Sequence, residues 1–277
     1  MDYREYTPSE PLASSVHCIW TLKGDAASME SDVQPILPDG KSELIVHLAD
    51  PFERVHADGH CERQPAILFA GQLSSQLALR PTGRISVVGI RFRSDGAAGF
   101  LRESQDRFAG LTPSLSDVSP ALARTLESVR SASDDPASVV TQLQSALERV
   151  VQPVADVRVR HVVERIGRAR GMVSIGDLAA KVGLTPRHLE RRFMQIVGMS
   201  PKRLARIARF QYALAMLDHL EPAPGTRTAA ACGFADQAHF VRDFRELAGC
   251  PPGEHMLQGA ELTGFFTERR HATRARE

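Results

Sequence analysis

The sequence predicts an α+β multidomain chain: a mainly-β barrel or sandwich at the N-terminus, trailing helices, and an all-α C-terminal domain with two helix-turn-helix motifs. Three observations carry this. Short apolar runs rich in β-branched residues, separated by Pro/Gly turns, fill the first 112 residues. From Ser116 the apolar spacing changes to three and four residues. From Asp177 to Pro252 one pattern occurs twice, about 50 residues apart.

The strands are placed by 14–24 (SSVHCIWTLKG), 41–50 (KSELIVHLAD), 65–73 (PAILFAGQL) and 84–93 (RISVVGIRFR). Pro38-Asp39-Gly40 and Pro81-Thr82-Gly83 read as turns, since proline presets φ and glycine accepts positive φ. The second turn, between LALR and RISVVGIRFR, predicts a hairpin. A small barrel of this kind either encloses a small molecule or is filled by its own side chains, and both readings stay open. Leu122, Leu126 and Val129, then Val139, Val140, Leu143, Leu147 and Val150, predict two helices broken by SASDDP, packed on each other or on a partner chain. Gln152-Pro153 marks a boundary, because proline ends helical pairing. The expected organisation is 1–112 (sensor or dimerisation domain), 113–155 (helical segment and linker), 156–257 (double helix-turn-helix) and 258–277 (basic tail).

The first copy of the repeat can be built residue by residue. Ser174 caps a helix, with Asp177 placed for a capping box. Gly183 ends it in left-handed geometry. Thr185 caps the next helix, whose first turn holds Pro186. Leu189, Phe193 and Ile196 make its apolar back, and Arg187, His188, Glu190, Arg191 and Met194 its outer face. An apolar back with long polar side chains near the N-terminus suits the major groove. A solvated helix face is the plain alternative, and duplication argues against it.

Ser200-Pro201 then opens a helix of about 19 residues, roughly 28 Å long at 1.5 Å per residue. That length holds two readers about one duplex turn apart. Its cations Lys202, Arg203 and Arg206 are expected to meet phosphates, and Arg209 adds a fourth. The second copy has Gly233-Phe234 at the turn, Asp236 as cap, and Phe240 and Phe244 buried. Gln237, Ala238, His239 and Arg242 face outward, with Gln237 suited to adenine and Arg242 to guanine or a phosphate.

Charge agrees with this division. From Asp156 to Glu277 there are 20 Lys/Arg against 13 Asp/Glu, while the remainder carries 14 against 20, behind a formal net charge of only +1. A basic C-terminal half suits contact with phosphates and an acidic N-terminal half does not.

The run GLTPRHLERRF…GMSPKRLARIARFQYAL…ACGFADQAHFVRDFRELAGCPP resembles the DNA-binding domain of the AraC/XylS family of bacterial transcription regulators, over roughly residues 160–257. The resemblance implies seven helices, with two helix-turn-helices joined by one helix and recognition helices in adjacent major grooves. It places Arg187, Glu190 and Arg191 at base-facing sites of the first motif and Gln237, His239 and Arg242 at those of the second. The chain departs from the family at Gly225 and Thr228, where large aliphatics are usual, so the second reader is expected to be looser. YREYTPSEPLASSVHCIWTLKG, ILPDGKSELIVHLADPF and GIRFRSDGAAGFL are similar to a sensor-like domain of one subgroup, with a cupin-like barrel implied. In that family such domains bind effectors, dimerise, or both.

Other classes fare worse. His56, His60 and Cys61 lie in a polar turn, without the convergent spacing of a metal site or the HxH-plus-Glu pattern of a metal cupin. Cys18 and Cys61 lack the setting of an activated acceptor cysteine, which weakens a fused DNA-repair methyltransferase. No nucleophile-elbow, phosphate-loop or dinucleotide fingerprint is present, and no enzymatic role is expected. No apolar stretch suits a membrane span, and the N-terminal residues lack a secretory pattern. The expectation is a cytoplasmic, sequence-specific regulator, an activator on family grounds, that binds double-stranded DNA without a metal or cofactor. RNA polymerase, an unidentified small-molecule effector and a homodimer remain open as partners.

Overall fold

The computed structural model describes residues 1–29, 31–153, 156–219 and 226–255. The N-terminal domain holds nine strands: β1 (Asp2–Tyr6), β2 (Val16–Asp25), β3 (Gln34–Ile36), β4 (Glu43–His47), β5 (Glu53–Val55), β6 (Cys61–Arg63), β7 (Ile67–Ala70), β8 (Leu77–Arg80) and β9 (Arg84–Phe92). They form a five-stranded sheet, β1-β2-β9-β4-β7, and a four-stranded sheet, β3-β8-β5-β6, with every pair antiparallel.

Alternation along the strands sorts two cores. Cys18, Trp20 and Leu22 of β2 and Ile85 and Val87 of β9 face the second sheet, where Phe52, Leu77 and Leu79 meet them. Ile19, Leu44, Val46, Val88, Ile90 and Phe92 point to the other face. There α2 (Pro120–Ala132) and α3 (Pro136–Glu148), which follow the short α1 (Leu115–Val118), cover the sheet with Leu122, Leu126, Val139, Val140, Leu143 and Leu147. The two helices thus pack on the five-stranded sheet as well as on each other. Burial on both faces explains why β9 reads as one almost unbroken apolar run.

One expectation fails here. β8 and β9 do not form a hairpin: β8 pairs with β3 and β5, and β9 with β2 and β4. The Pro81-Thr82-Gly83 turn carries the chain from one sheet to the other. Its partner is the 50–51 segment, where Asp50 Oδ2 accepts from Arg84 N at 2.8 Å and Pro51 O accepts from Thr82 Oγ1 at 2.8 Å. Turn residues encode a reversal of direction, and the pairing beyond it depends on which sheet can bury the next strand.

The C-terminal domain contains α4 (Val157–Arg168), α5 (Ile175–Lys181), α6 (Pro186–Val197), α7 (Pro201–His219), α8 (Thr226–Ala231), α9 (Gln237–Ala248) and α10 (Pro252–His255). Among the described residues these are the seven helices that the resemblance implies. α7 lies at their centre, supplying Leu204, Ile207, Phe210, Ala213, Leu214 and Leu217 to one apolar core. No helix of the described residues is long and apolar enough to cross a membrane. Gly225 and the expected tail, 258–277, lie outside the described residues.

The two domains touch along named contacts. Arg160 Nε donates to Asp95 Oδ2 at 2.9 Å, and Gln211 Nε2 donates to Pro38 O at 2.6 Å. Arg203 reaches the backbone oxygen of Ser74, and Leu37 belongs to the helical core.

Gly89 of β9 lies opposite Trp20, and a Cβ there would overlap the indole. Gly89→Ala is therefore expected to cost about 1–3 kcal/mol by overpacking. Urea unfolding checks this, and an unchanged midpoint would show that the indole has room to move.

Candidate nucleic-acid interface

Each motif is framed by backbone chemistry that the sequence makes legible. Ser174 Oγ accepts from Asp177 N at 3.3 Å to start α5, and Gly183, at φ 69°, closes the turn after it. Thr185 Oγ1 accepts from His188 N at 3.2 Å to start α6, with Pro186 at its first position. Gly198 ends α6 in the left-handed region at φ 87°. In the second motif Gly233 has φ 70°, Asp236 Oδ1 accepts from His239 N at 2.6 Å, and Gly249 ends α9 at φ 77°. Such caps satisfy terminal amides that would otherwise lack partners, at about 1 kcal/mol each.

The same faces turn inward and outward in both copies. Leu189, Phe193 and Val197 bury the back of α6, with Ile196 half-buried, while Arg187, His188, Glu190 and Arg191 are exposed on its front. Met194, expected on that front, is half-buried. Arg191 and His188 meet at 2.8 Å (Nη2 to Nε2), one helical turn apart. Phe240, Phe244 and Leu247 bury the back of α9, and Gln237, Ala238 and Arg242 are exposed. His239 is half-buried instead, with its ring edge-on to Phe234 at 5.5 Å and Nε2 3.6 Å from Asp243.

Small residues in α8 leave support of α9 to aromatic rings. Thr228 and Ala229 are buried beside a chain of ring contacts: Phe234 to Phe240 at 5.1 Å, Phe240 to Phe244 at 5.7 Å, and Phe244 to Phe210 of α7 at 5.1 Å. Such pairs add about 0.5–1.5 kcal/mol each beyond the area they bury.

The cations of α7 divide. Lys202 is exposed. Arg206, expected to meet phosphate, holds both oxygens of Asp243 at 2.9 and 3.1 Å and reaches Glu246 at 2.6 Å. Arg203 also reaches Glu246 at 2.6 Å. These two guanidinium groups therefore fasten α9 to α7. Sequence reasoning overlooked this brace, because pairing across 37 to 43 residues leaves no periodic trace. It overlooked Asp156 as well, a buried acid that caps α4 and receives Arg192 of α6.

The histidines and cysteines of the N-terminal domain lie apart from these helices. His56 and His60 stack on each other at 5.3 Å in the β5–β6 turn, and Cys61 Sγ meets Arg80 Nη1 at 3.2 Å. His17 and Cys18 are in β2, and His47 is buried at the end of β4. No group of three or more His, Cys, Asp or Glu able to hold a metal occurs among the described residues.

Hydrogen bonds from Arg206 and then Arg203 hold the Glu246 carboxyl down at about 2, against an ordinary 4.5. A carboxylate depressed on folding stabilises the fold above its unfolded value, and that share is lost as pH falls through the folded one. Between about pH 4.5 and 2, Glu246→Gln is expected to lose stability less steeply than the parent chain. Acid-limb unfolding curves measure this, and identical slopes would mean that the pairing is exchanged for water in solution. Glu246 is about half exposed, so the effect is discounted for screening.

Comparison with known proteins gives the following. Residues 178–258 match a family of helix-turn-helix domains, and residues 4–113 match a domain of unknown function (DUF6597). The HTH-type transcriptional regulator Rv1931c of Mycobacterium tuberculosis is 33% identical over 89 residues, which are 32% of this chain and 34% of that protein. The match thus spans about a third of that relative's length. Apo ToxT K231A of Vibrio cholerae superposes with a TM-score of 0.45 at 12% identity, over 86% of this chain and 97% of that one. An AraC-type DNA-binding-domain regulator of Chromobacterium violaceum gives 0.33 at 27% identity, over 38% and 93%.

Proposed function

We propose that this chain, whose residues 178–258 match a helix-turn-helix domain family, is an AraC-type, sequence-specific transcription regulator that reads two adjacent major-groove segments. The observation that carries the reading is that two capped helices of 12 residues, α6 and α9, are both packed on α7. Each has an apolar back and polar, exposed residues in its first turns.

Chemistry assigns the roles. Arg187 and Arg191 offer forked donors that match the O6 and N7 acceptors of guanine, and Glu190 accepts from the cytosine amino group. His188 orients Arg191. In the second motif Gln237 suits adenine, while Arg242 reaches guanine or phosphate. His239, held by Phe234 and Asp243, shapes the start of α9 more than it reads. Lys202 and the excess of basic residues supply the sequence-independent attraction that brings the chain to DNA. Arg203 and Arg206 act one step back, setting the angle of the second reader. The sign of regulation follows the family's usual role as activator, which requires contact with RNA polymerase.

Selection of duplexes from a random pool by the full chain tests this, followed by titration of the selected site. The expected outcome is a two-block motif. Arg191→Ala is then expected to cost about 1–3 kcal/mol at that site and to relax one base position. Equal loss on unrelated duplexes would make Arg191 a backbone contact, and a pool with no enriched motif would overturn the regulator reading.

A further inference from the structure

Between the two sheets of the N-terminal domain lies a cavity of about 80 Å³. Trp20, Ile45, Phe52, Leu77, Leu79 and Val87 are among the apolar residues of its wall. By volume it admits a molecule of roughly five to eight heavy atoms.

Two polar features mark it. His47, fully buried, lines the cavity with its ring edge-on to Phe52 at 5.4 Å. Its Nε2 lies 3.3 Å from Gln64 Oε1, which can only accept, so that nitrogen carries the proton. Nδ1 is then a bare acceptor, and it has no hydrogen-bond partner. Burial pushes the imidazole down to about 4, so it stays neutral at ordinary pH. A buried acceptor without a donor costs about 1–3 kcal/mol.

The second feature is charge balance. Asp39, Lys41, Glu43 and Arg91 also line the cavity, and they compensate one another. Arg91 Nε lies 2.5 Å from Glu43 and 3.8 Å from Asp39, and Lys41 Nζ lies 3.8 Å from Asp39. Two acids against two bases leave no net charge to attract a carboxylate or an ammonium group.

The roof of the cavity is also the seat of α7. Ile36, Leu37, Asp39 and Lys41 line the cavity from residues 36–41. Within that stretch Leu37 joins the helical core, and Pro38 O accepts from Gln211 of α7 at 2.6 Å. Gly40, at φ 74°, sits so close to Leu204 that a Cβ would come within 2.6 Å of its Cδ1. The stretch 36–41 thus meets the cavity through Ile36, Leu37, Asp39 and Lys41, and the helical domain through Leu37, Pro38 and Gly40.

We propose that this cavity binds a small neutral molecule, largely apolar and bearing one O–H or N–H that donates to His47 Nδ1, and that residues 36–41 pass its occupancy to α7. The second half rests on the reading of the chain as a DNA-binding regulator.

Phenol, toluene and benzoate, similar in size, separate the requirements when titrated calorimetrically into the full chain. Phenol is expected to bind at one site, toluene about tenfold more weakly for want of the hydrogen bond, and benzoate not measurably. In His47→Leu the preference for phenol over toluene should vanish. The ranking on the unaltered chain is decisive even if that variant does not fold. Saturating phenol should also change affinity for the selected duplex. No phenol binding, equal binding of phenol and toluene, or preference for benzoate would overturn the site. Phenol binding without any change in DNA affinity would overturn the coupling. Failure with phenol while DNA binding persists sinks only this inference, whereas loss of all specific DNA binding sinks the regulator reading and leaves the cavity standing.

Discussion

The arrangement depends on a single constraint: α7 is packed on three sides at once. One side closes the core with α4 and α6, a second meets α9, and a third lies on residues 36–40 of the β domain. A 19-residue helix in this position acts as a ruler, because its rise per residue is fixed by backbone hydrogen bonding. Whatever tilts it moves both helix-turn-helices together. Whatever loosens α9 from it frees the second motif alone.

Electrostatics and ring packing share the task of holding α9. The α8 helix contributes small side chains, so rings provide the volume and Arg203 and Arg206 the direction. Arg206 engages Asp243 with two nitrogens, a geometry that fixes orientation in a way one lysine cannot. The basic character of the C-terminal domain is therefore not all available to DNA. Arg192 is paired with the buried Asp156 and Arg206 with the buried Asp243, whereas Arg187, Arg191, Lys202 and Arg242 remain exposed.

Much of this was legible in the residues themselves where the physics is local. Ser174, Thr185 and Asp236 act as caps because each follows a turn and precedes an apolar face. Gly183, Gly198, Gly233 and Gly249 take positive φ because a Cβ would resist it there. The strands at 16–25, 43–47, 67–70 and 84–92 follow from alternation and β-branching. What depends on distant partners was not legible. The β8–β9 hairpin failed because turn chemistry carries no information on which sheet receives the next strand. Arg206 looked like a phosphate contact because a helix of cations gives no sign of Asp243 approaching from 37 residues away. His47 stands in an apolar run of the sequence, and only the fold shows that it lines a cavity.

The central claim is that α6 and α9 form one two-headed reader whose spacing α7 sets. Hydroxyl-radical footprinting of the full chain on its selected duplex tests this most directly. The account predicts two protected patches on one face of the duplex, about one helical turn (roughly 10 base pairs) apart. A single protected patch, or two whose separation changes from site to site, would contradict it.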